Sequence, residues 1–170
     1  MTHVLCQALN LQYPVIQAPM AGVSTPEMAA AVTEAGALGS ISIGASTPEQ
    51  AAVMIAKTQS LTRGSFNVNV FCHAPVKRNA EKEQAWIARF RELFARYGAE
   101  LPADLQEIYQ TFHANQPMLD VIEQAKPAAV SFHFGIPEPQ TIQRIKRLGI
   151  VTLATATNVD EALAIVHSDI

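Results

Sequence analysis

His133 stands in Ser131-Phe132-His133-Phe134-Gly135, where polar and apolar residues alternate and a glycine follows at once. An imidazole at the end of such a run could accept a proton or donate a hydrogen bond to an anion near neutral pH. The same position suits a core histidine tied to a neighbour's carbonyl, and the residue alone does not separate the two. Asn69, in Phe66-Asn67-Val68-Asn69-Val70-Phe71, carries two donors and an acceptor. These suit a phosphate oxygen or a heteroaromatic edge, or they satisfy nearby backbone. Gln17-Ala18-Pro19-Met20-Ala21-Gly22 joins a proline that cannot donate to a ladder with small residues that let a flat ring approach the backbone. It reads as a cofactor shelf or as a plain strand-to-helix turn. His73 also ends a strand-like run and makes a weaker claim, while His3, His113 and His167 read as surface residues. No two histidines have metal-ligand spacing and no acidic cluster accompanies them, so no metal site is expected. Neither a Gly-rich phosphate loop nor a Gly-x-Ser-x-Gly elbow is present.

Five β-rich runs would position these residues: Pro14–Met20, Leu38–Gly44, Phe66–His73, Ala128–Gly135 and Ile150–Thr157. A helical pattern follows each. Thr25-Pro26-Glu27 supplies an N-cap, a first-turn proline and a carboxylate for the positive helix end, and Gly36 closes the segment. Thr47 and Gln50 have capping-box spacing, and Asn158 with Glu161 repeats it. Such alternation predicts parallel strands joined by helices, hence an α/β fold. The interval between the third and fourth runs is more than twice any other, so residues 74–127 read as a helical insertion. Within it Ala80–Tyr97 places Trp86, Ile87, Phe90, Leu93, Phe94 and Tyr97 on one helical face, as packing aromatics. Shorter patterns follow at Leu105, Ile108, Tyr109 and Phe112, and at Met118, Leu119 and Ile122.

Doubly wound sheets bury both faces, so their central strands read as near-continuous apolar runs. Here Ser40 and Ser42, Asn67 and Asn69, and Ser131 and His133 give each strand one polar face. Ile41 and Ile43, then Phe66, Val68 and Val70, then Val130, Phe132 and Phe134 give the other face, suited to burial beneath helices. That division fits a barrel with a wet ligand site at its C-terminal mouth. A (β/α)8 TIM barrel has eight strands and typically ~250 residues. The expectation for the 170 residues is therefore the first five βα units of one barrel domain, with a five-stranded flavodoxin-like domain as the alternative.

Composition narrows the partners. Apolar residues make up 49% of the chain, enough for a buried core, which removes disorder as the main state. Charged residues are 16% and the formal net charge is −3, so no basic stripe exists for nucleic acid and small molecules are the better substrate class. Cys6 and Cys72 are too few for a disulfide framework and read as reduced core thiols. No leader-like start and no run approaching ~20 apolar residues are present. The resulting expectation is a soluble, cytoplasmic protein with no membrane partner.

From about residue 10 onward, four segments together resemble the nitronate monooxygenases, formerly called 2-nitropropane dioxygenases. They are Gln17–Gly22, Ala35-Gly36-Ala37-Leu38-Gly39-Ser40-Ile41, Phe66–Phe71 and Val130–Gly135. The first two also occur in the related flavin-dependent enoyl-acyl carrier protein reductases; the Asn-x-Asn-x-Phe strand and Ser-Phe-His-Phe-Gly favour the nitronate branch. The resemblance implies a TIM barrel holding FMN non-covalently at its mouth. Ala18, Pro19, Met20 and Ala21 would line the flavin, and Asn69 would hydrogen-bond it. The implied reaction oxidises an alkyl nitronate with molecular oxygen to a carbonyl compound and nitrite, with His133 as the catalytic-site donor to the nitronate oxygens. The histidine usually assigned as base in this family lies in a Gly-Gly-His-Arg-Gly-like segment that this sequence lacks, as it lacks the later phosphate-binding glycines. The 170 residues are thus expected to be inactive alone. The alternatives are a flavin reductase acting on an acyl thioester and a non-catalytic half-barrel that self-associates through open sheet edges.

Overall fold

At the starts of the α-helices headed by Thr25, Thr47, Asn79, Asn115 and Asn158, a side chain replaces the missing backbone acceptor. Thr25 accepts from the Met28 amide at 3.1 Å, with Pro26 at the first helical position. Thr47 accepts from Gln50 at 3.3 Å while the Gln50 side chain accepts from the Thr47 amide at 2.9 Å, closing a capping box. Asn158 accepts from Glu161 at 2.9 Å, but the Glu161 carboxylate reaches one residue further back, to the Thr157 amide. Gly36, with φ +89°, takes the left-handed conformation just beyond the first of these helices.

The computed structural model describes residues 4–170. His3 lies outside them. In chain order the elements are α1 (Val4–Leu9), α2 (Pro26–Glu34), β1 (Gly39–Ser42), α3 (Pro48–Leu61), β2 (Phe66–Phe71), α4 (Ala80–Ala88), α5 (Arg91–Arg96), α6 (Gln116–Ala125), β3 (Ala129–His133), α7 (Pro139–Arg147), β4 (Val151–Ala154) and α8 (Val159–His167). The four strands form one parallel sheet in the order β1-β2-β3-β4. A flavodoxin-like sheet runs 2-1-3-4-5 and reverses direction at a switch point. Sequential order, with no such reversal, is that of a (β/α)8 barrel segment.

The first expected strand, Pro14–Met20, is reduced to a single parallel bridge between Ile16 and Leu38. Gln17 N donates to Leu38 O at 2.9 Å, but Ser40 N donates to the Gln17 side-chain oxygen at 3.2 Å instead of continuing a backbone ladder. Pro19 then has no N–H to offer. The run keeps a strand's place beside β1 without its hydrogen bonds.

Contacts divide the chain into two compact units, residues 1–74 with 109–170, and residues 75–108. In the first unit Ile41, Ile43, Val68, Val70, Val130 and Phe132 face one way and pack with Ala51, Ile55, Met118, Leu119, Ile122 and Ile145 of α3, α6 and α7. Both Cys6 and Cys72 are buried free thiols. Leu9, Leu38 and Ala129 form a second apolar cluster, which Val151 and Leu153 of β4 join. Phe134 does not join the core as its alternation suggested: the backbone leaves the strand at φ +67° and the ring is 69% exposed.

In the second unit one expected helix, Ala80–Tyr97, becomes α4 and α5. The ladder tightens between them, with Arg89 N bonded to Trp86 O at 3.1 Å and Phe90 N to Ile87 O at 3.0 Å. Trp86 meets Phe90 edge-on at 5.3 Å and carries the Arg89 guanidinium over its face at 5.5 Å. The aromatics are not all packing residues, since Trp86 is half-exposed and Tyr97 mostly exposed. Arg78 forks onto Glu83 at 2.8 and 2.6 Å and also reaches Leu105 O. The Leu105–Phe112 pattern forms no helix. Its far end is held to the end of β2 instead, by Phe112 N to Phe71 O at 2.7 Å and by the Thr111 hydroxyl to His73 O at 2.6 Å. After the second unit, α6 returns to the sheet of the first.

Candidate functional site

The strand register places Ser42 beside Asn69 and Asn69 beside Ser131, all on the face opposite the helix-covered core. Asn67 donates to Ser40 Oγ at 3.2 Å and to Ser131 Oγ at 2.9 Å. Asn69 donates to Ser131 Oγ at 3.0 Å and Ser131 O at 3.2 Å, and accepts from the Ser42 hydroxyl at 3.2 Å. These five residues are buried, so the polar face is a cross-strand hydrogen-bond ladder. Ser131 Oγ accepts from both asparagines, which leaves its own proton to be aimed elsewhere. Among the described residues, the buried side-chain atoms Gln17 Nε2 and Asn67 Oδ1 have no hydrogen-bond partner. Asn69 has both amide protons engaged, leaving one lone pair on its oxygen.

His133 ends β3 opposite Phe71, and its carbonyl accepts from Cys72 N at 2.8 Å. The ring is part-buried, and burial pushes its pKa below the usual histidine value, which favours the neutral imidazole. A neutral imidazole offers one donor and one acceptor. The chain then turns sharply. Gly135 has φ +135°, and a Cβ there would lie 2.6 Å from Cys72 O, so only glycine fits. This turn opens a cleft of about 460 Å³ lined by His133, Phe134, Ile136, Thr155, Thr157, Ala164 and Ile165. Glu161 also borders it, with its carboxylate bonded to Thr157 N and Oγ1 at 2.6 and 2.9 Å. The Cys72 thiol behind the turn is pushed up to about 12 by burial and by the nearby Glu138, so it is not a nucleophile at neutral pH.

Ala18, Pro19, Met20 and Ala21 form a turn pinned by Ser24, whose hydroxyl accepts from Met20 N at 2.9 Å and donates to Ala18 O at 3.1 Å. Ala18 and Met20 are exposed, and Gly22, at φ +75°, has open space where a Cβ would be. A flat ring could reach this backbone. The structure brings Asn69, Ser131 and His133 together on β2 and β3, whereas Ala18–Ala21 follow the run beside β1 and do not line the His133 cleft.

His113, read from sequence as a surface residue, is part of this region. Its Nδ1 lies 2.9 Å from Glu138 Oε1 and its Nε2 lies 3.0 Å from Cys72 O. It ties the end of β2 to the loop that follows His133. Among the described residues no group of three or more His, Cys, Asp or Glu could hold a metal, and no helix is long and apolar enough to cross a membrane.

The family model for nitronate monooxygenase matches residues 2–169. The chain belongs to the nitronate monooxygenase family. It is 48% identical over 160 residues to a nitronate monooxygenase of Paraburkholderia phytofirmans, covering 94% of this chain and 44% of that protein. A nitronate monooxygenase of Pseudomonas aeruginosa is 44% identical over 162 residues, 95% of this chain and 46% of that protein. The nitroalkane oxidase structure from Streptomyces ansochromogenes superposes with a TM-score of 0.84 at 34% identity, covering 98% of this chain and 46% of that one. FabK from Thermotoga maritima shares the fold, with a TM-score of 0.70 at 21% identity over 99% of this chain and 42% of that chain. The chain therefore spans less than half the length of the curated relatives it matches, and its sheet corresponds to part of their barrel.

Proposed function

We propose that the full-length protein oxidises alkyl nitronates with molecular oxygen, yielding a carbonyl compound and nitrite, at an FMN held non-covalently. The carrying observation is a part-buried His133 at the C-terminal end of a barrel-type parallel sheet, in a chain of this family. When bound, the flavin supplies the redox chemistry by accepting electrons from the nitronate and passing them to oxygen. Ala18, Pro19, Met20 and Ala21 would support its ring, since their small or exposed side chains leave the backbone approachable. Asn69 would offer its amide to the cofactor by releasing the longer of its two Ser131 bonds, the one at 3.2 Å. His133 would donate a hydrogen bond to the nitronate oxygens and orient the anion. Phe134 and Ile136 border the same cleft and would flank the bound anion. The setting would be the cytoplasm, with no nucleic-acid or membrane partner.

The test is steady-state kinetics of the full-length protein on preformed nitronates, with nitrite release and flavin content measured together. His133→Ala is expected to retain flavin and to lose roughly tenfold to a hundredfold in kcat/KM, the value of a hydrogen bond to a charged substrate at about 1.5–3 kcal/mol. Loss of ~10²–10⁴-fold with an altered pH profile would instead mark His133 as the general base. Full activity with full flavin would make it structural.

A further inference from the structure

Phe134 holds an unusual position for an aromatic residue. Its backbone lies at φ +67°, a conformation that residues with a side chain rarely adopt, and its ring is 69% exposed beside a fully buried Phe132. The turn that presents it is dictated by Gly135, whose hydrogen-only side chain lets Cys72 O approach. The exposed ring is nonetheless held. It meets Phe71 edge-on at 5.1 Å and the His133 ring edge-on at 6.2 Å, and Phe71 in turn meets Tyr109 at 5.6 Å. Strain retained at a placed, solvent-facing ring points to use of that ring.

The cleft next to it is chemically two-sided. His133, Thr155 and Thr157 make one part polar, with the Glu161 carboxylate at its border engaged by Thr157 N and Oγ1, while Ile136, Ala164 and Ile165 make the other apolar. A ligand fitting both parts has a compact polar or anionic head and an apolar tail. We infer that Phe134 is the specificity-determining residue of this site: its ring is the wall against which the organic substituent of the substrate lies while the anionic head meets His133. This rests on the proposed nitronate oxidation and adds to it a preference for longer alkyl substituents, set by one residue.

Straight-chain carboxylates of increasing length are planar anions shaped like nitronates, and their binding to the flavin-loaded full-length protein can be measured by calorimetry without turnover. Affinity is expected to rise about fourfold per methylene, equivalent to ~0.8 kcal/mol per buried CH₂, until the cleft is filled. Phe134→Ala should flatten that rise, so that its penalty grows with chain length, and Phe134→Leu should restore part of it. Phe134→Gly, which suits the positive φ, provides a variant that folds if the alanine protein does not. An equal penalty at every chain length would overturn the inference and make Phe134 a backbone support. Nitrite release from nitronates by the same wild-type preparation is scored separately. A chain-length slope without nitrite release would refute the nitronate reading and leave the apolar wall standing.

Discussion

At the scale of single residues, His113 makes the sharpest case. Both of its ring nitrogens face acceptors, a carboxylate oxygen of Glu138 and the carbonyl of Cys72. Glu138 is held below the ordinary carboxylate range: burial raises it, but the His113 hydrogen bond and backbone amides outweigh that. Removing the imidazole leaves the Cys72 carbonyl without its side-chain donor and frees the loop that carries Phe134 and Gly135. His113→Ala should therefore destabilise the protein by about 1–3 kcal/mol, read as a shifted urea midpoint, with a smaller loss for His113→Gln. His133 was legible as a site candidate because strand alternation and the adjoining glycine are local signals. His113 was not, since its partners lie 25 and 41 residues away and nothing near it in the chain announces them. Asn69 fell between: its location was legible, but the commitment of its amide to Ser131 depends on register across strands.

Among the elements, those specified by neighbours in sequence were the readable ones. Proline and threonine at helix starts, and Asn158 before α8, act over three or four residues, and the structure has the caps where the sequence puts them. Thr47→Ala should cost about 1 kcal/mol, because α3 loses one member of a reciprocal pair while Ala51 and Ile55 must still seat on the sheet. A thermal melt checks it, and a change under a few tenths of a kcal/mol would mean that packing alone fixes the helix start. The elements misread were decided by competition invisible to periodicity. At Pro14–Met20 a side-chain oxygen of Gln17 takes the Ser40 amide that a backbone carbonyl would have taken. At Arg89–Phe90 the bonds tighten within an otherwise helical pattern. The segment ending in Phe112 exchanges a helix for bonds to the end of β2.

For the whole molecule, the choice between barrel and flavodoxin-like order could not be made from spacing, because both alternate strand and helix; polar alternation favoured the barrel and the strand order decides it. One side of β4 carries no paired strand among the described residues, and on α8 Val159, Leu163 and Val166 are exposed at helical spacing. We expect the 170-residue chain to self-associate through this edge in light scattering, and Leu163→Glu with Val166→Glu to reduce it. A wild-type monomer at high concentration would refute the expectation. Sequential strand order also has a kinetic meaning. Each strand pairs with the one made just before it, so the sheet can grow in the order in which the ribosome releases it, without waiting for distant partners. Only the step from β2 to β3 must close a long loop, and loop-closure entropy rises only logarithmically, about 0.6 kcal/mol per doubling of length. Residues 75–108 make their own contacts inside that loop, and a segment that collapses by itself shortens the effective distance the next strand must search.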